Sequence, residues 1–176
     1  MAPRVGIAGY GLAGRYFHAP LLVGAGFEIA SILTRNEQRI LDAKTDFPNT
    51  QICNSLEDLL KSKIDLLVVA SANQSHAEQA IAGLKAGIPV VVDKPMGRTF
   101  KETEEIITVS KQTGVGVSTY FNRKWDSDAL TIKKIISEGV LGKIFRLESR
   151  FEVFRPQLKG GWRENKDVEQ GGGNLL

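Results

Sequence analysis

The chain has 176 residues, 42% of them hydrophobic and 24% charged, which is the composition of a globular protein with one full domain and part of a second. Its net charge of +3 arises after residue 120, where opposite signs interleave, and this excludes the basic, aromatic-rich stripe of a nucleic-acid-binding protein. No apolar stretch approaches the roughly 20 residues that cross a bilayer, so no membrane span is expected.

We expect a cytoplasmic protein. The chain has a single cysteine, Cys53, which cannot form an internal disulfide and therefore fits a reducing compartment. Met1 to Arg4 leads directly into the first predicted strand and leaves no room for a signal peptide. Cys53 has no His or Cys partner at metal-ligand spacing, so we predict that it fills the core and that the chain has no metal site.

The first predicted elements are a strand at 4–8, a glycine-rich turn and a helix from 12 to about 24. The turn reads Gly9-Tyr10-Gly11-Leu12-Ala13-Gly14. In this pattern the first glycine permits the tight turn, the second lets the backbone touch phosphates, and the third lets the helix pack close to the strand. The helix N-terminus adds amide donors and a positive dipole end. The turn therefore predicts a dinucleotide site; the alternative is a tight turn in another α/β protein.

Strands and helices then alternate up to residue 120. The predicted strands are 27–33, 51–53, 65–70, 88–92 and 115–119. Helices are predicted at 36–47, after Ser55, at 75–86 and after Thr99, where Asp58 and Glu102 three residues on support the two capped starts. The run 65–70 is apolar without alternation, as in strands buried on both faces. This order predicts a parallel sheet with right-handed crossovers, that is, a doubly wound Rossmann domain over 1–120.

The pattern changes after residue 120. A helix is predicted at 126–138, and residues 143–154 alternate with period two, which predicts one long strand with an apolar face formed by Phe145, Leu147, Phe151 and Val153. No partner strand follows, so 121–176 is predicted to be the incomplete start of a C-terminal α/β domain for substrate binding and oligomerisation. The uncovered strand predicts homo-oligomers, with aggregation as the alternative.

Ligands of open parallel sheets bind at the carboxyl ends of the strands. The second strand ends at Thr34-Arg35-Asn36, without the carboxylate that usually holds the ribose hydroxyls of NAD. Arg35 could pair with a 2′-phosphate, with Thr34 and Asn36 donating hydrogen bonds. We therefore predict NADP in preference to NAD; the alternative is that Arg35 is only a surface residue.

The fourth and fifth strands also end in polar residues. Ser71, Asn73 and His76 follow the fourth strand and are predicted to contact the coenzyme; Asn73 could bond to backbone or coenzyme. Taken alone, His76 and the earlier His18 are read more readily as packed helix residues than as catalytic bases. Asp93, Lys94 and Pro95 end the fifth strand and are also predicted to contact the coenzyme.

Lys94 leaves a buried strand at the ligand edge, where a lysine can orient a substrate hydroxyl or stabilise a developing alkoxide. The alternative is an Asp93–Lys94 ion pair on a surface loop.

These motifs, in this order, resemble the glucose-fructose oxidoreductase / inositol dehydrogenase / MocA family over essentially the whole chain. The resemblance extends to the segment Tyr120-Phe121-Asn122-Arg123 and the pair Trp162-Arg163. It implies a Rossmann domain followed by an α/β domain with a large, mostly antiparallel sheet. It also implies hydride transfer between NAD(P) and a hydroxyl or carbonyl of a sugar, polyol or related molecule, with Asn122, Trp162 and Arg163 among the coenzyme contacts.

Lys94 matches the lysine of the family's Glu-Lys-Pro motif, with Asp93 in place of Glu, and the resemblance makes the Lys94–Pro95 bond a candidate for the cis form. The family's Asp and His for proton transfer follow a glycine-rich stretch, which here is Gly171-Gly172-Gly173 near the last residue, Leu176. We therefore expect a truncated form that binds coenzyme and turns over little substrate.

Two other functions are open. One is a non-catalytic dinucleotide-binding module, such as a sensor or regulatory subunit. The other, ranked last, is an S-adenosylmethionine methyltransferase, which would want an acid after the second strand and has no use for Lys94.

Overall fold

The computed structural model describes residues 1–154 and 156–157, and these form a six-stranded parallel sheet. The strands are β1 (Arg4–Ala8), β2 (Glu28–Leu33), β3 (Gln51–Cys53), β4 (Leu66–Val69), β5 (Val90–Asp93) and β6 (Val117–Tyr120). Their order in the sheet is β3-β2-β1-β4-β5-β6, which is the doubly wound arrangement expected from the sequence. The strand order reverses between β1 and β4, which places the switch point beside the glycine turn.

Helices cover both faces of this sheet. The covering helices are α1 (Ala19–Gly24), α2 (Glu37–Asp46), α3 (Leu56–Lys61), α4 (His76–Lys85) and α5 (Phe100–Thr113), whereas α6 (Ser127–Ser137) follows the last strand and has no buried residue. The cores on the two faces are separate: α1 and α2 contribute to one, and α3, α4 and α5 to the other. None of the helices in the described ranges is long and apolar enough to cross a membrane.

Strand β4 is buried on both faces, as its unbroken apolar run predicts. Leu67 and Val69 pack into the core that contains α4 and α5. Val68 and Ala70 pack into the opposite core, against the α1 and α2 side. Residues at the carboxyl end of β4 therefore start from a strand that is held from both sides, which fixes the loop that follows it.

The predicted helix starts are confirmed by their caps. The Ser55 hydroxyl accepts a hydrogen bond from the Asp58 amide at 3.1 Å, and the Thr99 hydroxyl accepts one from the Glu102 amide at 3.2 Å. Asn36 precedes α2 and its side chain accepts from the Arg39 amide at 3.1 Å. Such caps satisfy amides that the first helical turn leaves unpaired.

The first helix differs from the expected regular helix. Residues Gly14–His18 form a π-helical turn before α1, in which the Ala19 amide donates to the Gly14 carbonyl five residues back. Pro20 has no amide hydrogen to donate to the carbonyl four residues before it, so the regular ladder is interrupted at this point. The wider turn ends on His18, which is buried.

The predicted strand at 143–154 is wrong: the structure assigns no strand there. The alternation produces an apolar face, yet a strand also needs a neighbour for its amide and carbonyl groups, and the described residues provide none. Phe145 and Phe151 are 95% and 83% exposed. The basis for self-association through this strand is therefore lost, and homo-oligomerisation stays an untested prediction, as does a domain boundary at residue 120.

Candidate functional site

The glycine turn after β1 leaves no room for side chains at its two ends. Gly9 has φ of +100°, and a Cβ on it would lie 2.7 Å from the Ala70 carbonyl oxygen. A Cβ on Gly14 would lie 2.1 Å from the Gly9 carbonyl oxygen. The Gly9 amide donates to the Leu33 carbonyl at 3.0 Å. The turn is therefore fixed against the ends of both β2 and β4.

The helix that follows begins within this turn. The Arg15 amide donates to the Gly11 carbonyl at 2.9 Å, so Leu12 and Ala13 lie in the first helical turn. Leu12 is 57% exposed. The earliest amides of a helix have no carbonyl four residues before them within the helix and can bind an anion.

Tyr10 is almost completely buried in this turn. Its ring is 1% exposed and its hydroxyl donates to Asp46 at 2.9 Å. Burial raises the pKa of this phenol, and the hydrogen bond to Asp46 raises it further. The Tyr10 side chain therefore serves the core and does not line the cavity described next.

A cavity of about 560 Å³ opens beside the glycine turn, at the carboxyl ends of β1, β2 and β4. Five residues predicted from the sequence lie in its wall, namely Gly9, Thr34, Arg35, Asn36 and Ser71. The rest of the wall consists of Leu33, Arg39, Leu56, Ala72, Ser75, Glu78 and Gln79. Its volume falls in the range of small-molecule and coenzyme sites.

Arg39 is a cavity residue that the sequence analysis missed. Its guanidinium carbon and nitrogens lie 3.5–3.6 Å from where a Cβ on Gly11 would be, so the group lies over the middle of the glycine turn. Within residues 1–154 and 156–157 this guanidinium has no ion-pair partner. The only signal in the sequence is its place three residues after Asn36, whose side chain accepts the Arg39 amide at the start of α2.

Arg35 lies in the same wall but is already engaged, because its Nε donates to the Asn54 carbonyl at 2.9 Å. Two guanidinium groups thus border the end of β2, where positions 34–36 carry no carboxylate. Together with the glycine turn, this donor set fits a dinucleotide with a diphosphate and a further phosphate on its ribose.

The loop after β4 is fixed by the buried side chain of His76. His76 is 1% exposed, with Nδ1 2.7 Å from the Pro95 carbonyl oxygen and Nε2 3.2 Å from the Ser71 carbonyl oxygen. The imidazole therefore joins the loops after β4 and β5 and does not line the cavity. Asn73 is also buried, at 5% exposure, in a 3₁₀ turn at Asn73–Ser75.

The loop after β5 carries Lys94, whose side chain is exposed and lies outside the cavity wall. The Asp93 carboxylate accepts a hydrogen bond from the Lys94 amide at 2.9 Å. No Asp93–Lys94 ion pair is found among the described residues, so this carboxylate contacts the lysine backbone instead of its ammonium group. The Lys94–Pro95 bond is cis.

The remaining predicted contacts are Asn122, Trp162 and Arg163. Asn122 begins a 3₁₀ turn at Asn122–Trp125, directly after β6, and is not in the cavity wall. Trp162 and Arg163 lie outside the described residues.

Comparison with known proteins places this geometry in a family. The model of an oxidoreductase family with an NAD-binding Rossmann fold, GFO_IDH_MocA, matches residues 3–121. The chain is 42% identical over 163 residues to an oxidoreductase of Escherichia coli, YdgJ, covering 92% of this chain and 46% of that protein. It is 38% identical over 170 residues to the scyllo-inositol 2-dehydrogenase (NADP(+)) IolW of Bacillus subtilis, covering 96% of this chain and 47% of that protein.

A solved NAD-binding protein from Listeria innocua superimposes with a TM-score of 0.89 at 32% identity, covering all of this chain and 51% of that one. The chain therefore spans about half the length of the relatives it matches. The matched model, the relatives and the glycine turn agree on one assignment: the chain belongs to the Gfo/Idh/MocA oxidoreductase family and contains its NAD-binding Rossmann domain.

Proposed function

We propose that this chain is the coenzyme-binding part of an NAD(P)-dependent oxidoreductase that prefers NADP. In this proposal, hydride moves between the nicotinamide and a hydroxyl or carbonyl of a sugar, polyol or related small molecule. The observation that carries it is the glycine turn, closed to side chains at Gly9 and Gly14, beside a cavity bordered by Arg35 and Arg39. The NADP-dependent relative IolW supports the coenzyme preference and the substrate class.

Different residues would bind different parts of the coenzyme. The amides of the turn and first helical residues bind the diphosphate. Arg39, with Arg35, Thr34 and Asn36 at the end of β2, binds the 2′-phosphate, because a guanidinium makes short, charge-assisted hydrogen bonds to phosphate oxygens. When bound, the nicotinamide supplies the hydride-transfer chemistry.

Lys94 acts on the substrate in this proposal. Its ammonium is exposed at the carboxyl edge of the sheet and has no ion-pair partner in the described part of the chain. It can therefore donate to a substrate oxygen and stabilise charge that develops there. Both histidines are buried, with 4% of His18 and 1% of His76 exposed, so neither is placed to exchange protons with solvent beside Lys94. We accordingly propose that the 176-residue chain alone binds coenzyme and turns over little substrate.

Isothermal titration of the purified chain with NADPH and NADH tests the coenzyme part. We expect saturable binding of both, with NADPH tighter; equal or tighter binding of NADH would contradict the preference. Assays of the purified chain with NADP⁺ and a panel of sugars and polyols, followed at the absorbance of NADPH, test the expectation of low activity. A robust turnover rate would contradict the expectation of low activity.

A further inference from the structure

His18 is a buried imidazole whose Nε2 has no hydrogen-bond partner among the described residues. It is 4% exposed and ends the π-helical turn Gly14–His18 that leads from the glycine turn into α1. Turns of this kind are rare and recur at functional sites. Since buried polar atoms are normally paired, an orphaned nitrogen in such a turn calls for a physical reason.

Two titratable groups face His18 across the sheet edge. The Asp93 Oδ1 lies 3.9 Å from Nε2, and the Tyr120 ring lies 4.3 Å from the imidazole, tilted by 49°. Asp93 and Tyr120 are register partners at the ends of β5 and β6, so both are fixed by the sheet. At 3.9 Å the contact between imidazole and carboxylate is electrostatic and too long for a hydrogen bond.

The Asp93 oxygen that faces His18 is also the oxygen that holds Lys94. Oδ1 accepts the Lys94 amide at 2.9 Å. The side chain of Asp93 is 16% exposed, so its charge is largely withdrawn from water and is sensitive to the groups around it. A group that fixes this carboxylate therefore also fixes the backbone from which the Lys94 side chain starts.

The Asp93 carboxylate affects the pKa of both His18 and Tyr120. Burial lowers the pKa of His18, and the Asp93 carboxylate opposes this by favouring the protonated ring. Burial also raises the pKa of Tyr120, and Asp93 adds to that rise. The same carboxylate thus acts on both rings that pack beside it.

We infer that His18 is a positioning residue for Lys94 and acts through Asp93: its Nε2 proton attracts Oδ1 and holds that oxygen where it accepts the Lys94 amide. The contact between His18 and Asp93 belongs to the chain itself and needs no coenzyme, whereas its importance for catalysis rests on the function proposed above for Lys94. The neighbouring loop residue Pro95 is held separately by His76, so the loop after β5 is supported at two successive points.

The unaltered chain provides the first test. It contains two histidines, so the nitrogen resonances of both imidazoles can be assigned after recording His18→Gln as a reference. We expect the neutral His18 ring to carry its proton on Nε2. A ring protonated only on Nδ1 would present a lone pair to the carboxylate and would overturn the inference.

Amide hydrogen exchange at Lys94 provides the second test. His18→Phe keeps an aromatic ring against Tyr120 but removes Nε2, and we expect the Lys94 amide to exchange about tenfold faster. His18→Gln restores a side-chain donor and should recover most of the protection. Exchange within about twofold of the unaltered chain in a folded His18→Phe variant would overturn the inference. Neither test uses coenzyme, so failure to bind NADPH would contradict the proposed function without deciding this one.

Discussion

A methyl group on Gly14 would lie 2.1 Å from the carbonyl oxygen of Gly9, far inside van der Waals contact. The two residues are the ends of the glycine turn, and their approach is what brings the first helix onto the edge of the sheet. Because the obstacle is backbone, which cannot move aside as a flexible side chain can, the turn tolerates only glycine at position 14 without shifting.

Gly14→Ala should therefore destabilise the chain by about 1–3 kcal/mol and weaken NADPH binding, since the turn must open to admit the methyl group. The measurement is urea unfolding with a parallel NADPH titration. Gly24→Ala is the matched control, because a Cβ there meets no atom within 4 Å. It should leave binding unchanged and raise stability by about 0.5–1 kcal/mol. Equal effects of the two substitutions would contradict this reading of the turn.

Arg39→Gln should weaken NADPH binding about 10- to 100-fold and change NADH binding much less, because hydrogen bonds to a charged group contribute about 1.5–3 kcal/mol. Lys44→Gln makes the same charge change in the last turn of α2, outside the cavity wall. Isothermal titration of both variants with both coenzymes separates a specific phosphate contact from a general loss of positive charge. Equal losses for Arg39→Gln and Lys44→Gln would favour the general effect.

Glu102 should stabilise the chain at neutral pH and lose that effect in acid. Burial opposes its ionisation, but hydrogen bonds from Arg98 outweigh burial and lower its pKa, and the Arg98 amide donates to it at 2.7 Å. A carboxyl with a lowered folded pKa contributes stability above its unfolded pKa and loses it as the pH falls through the folded value. Glu102→Gln should therefore cost about 1–2 kcal/mol at pH 7 and progressively less below about pH 4.

The control for this prediction is Glu104→Gln, an exposed carboxylate on the same helix. Urea unfolding of both variants at several pH values provides the comparison. A penalty for Glu102→Gln that does not change with pH would show that shape or packing, and not charge, accounts for its effect.

Cys53 should be inert in the native chain. It is 1% exposed, and burial raises the pKa of its thiol, to which the Asp58 charge adds. The thiolate is the reactive form, so a thiol reagent such as DTNB should label the folded chain at least about 100-fold more slowly than the chain in urea. Rapid labelling without urea would contradict the assignment of Cys53 to the core.

Much of the fold could be predicted because local and global signals agree. The strand Gln51–Cys53 has the bounds that the sequence predicts, and Ser55 and Thr99 cap helices as their sequence context predicts. The two wrong expectations have identifiable causes. Pro20 lies where a helical pattern continues, so periodicity alone does not reveal the π-helical turn before it. The alternation at 143–154 describes one side of a strand and carries no information about a pairing partner.

The position of the candidate cavity could be predicted from the glycine turn and the strand ends, whereas the directions of individual side chains could not. Thr34, Arg35 and Asn36 line the cavity, and their contact with a coenzyme stays a prediction. Arg39 was missed because it reaches the cavity from the first turn of α2, whereas the sequence prediction covered only the residues at the end of the strand. The part that His76 plays in joining two loops was also missed, because nothing in a sequence shows that carbonyl oxygens 5 and 19 residues away converge on one ring.

The central claim is that the backbone of the glycine turn binds the coenzyme diphosphate. Its most direct test is an amide chemical-shift titration of the ¹⁵N-labelled chain with NADPH. We predict saturable shifts at the amides of Gly11, Leu12, Ala13 and Gly14, with a further response at Arg39. Unchanged amides at these positions under saturating NADPH would contradict the claim.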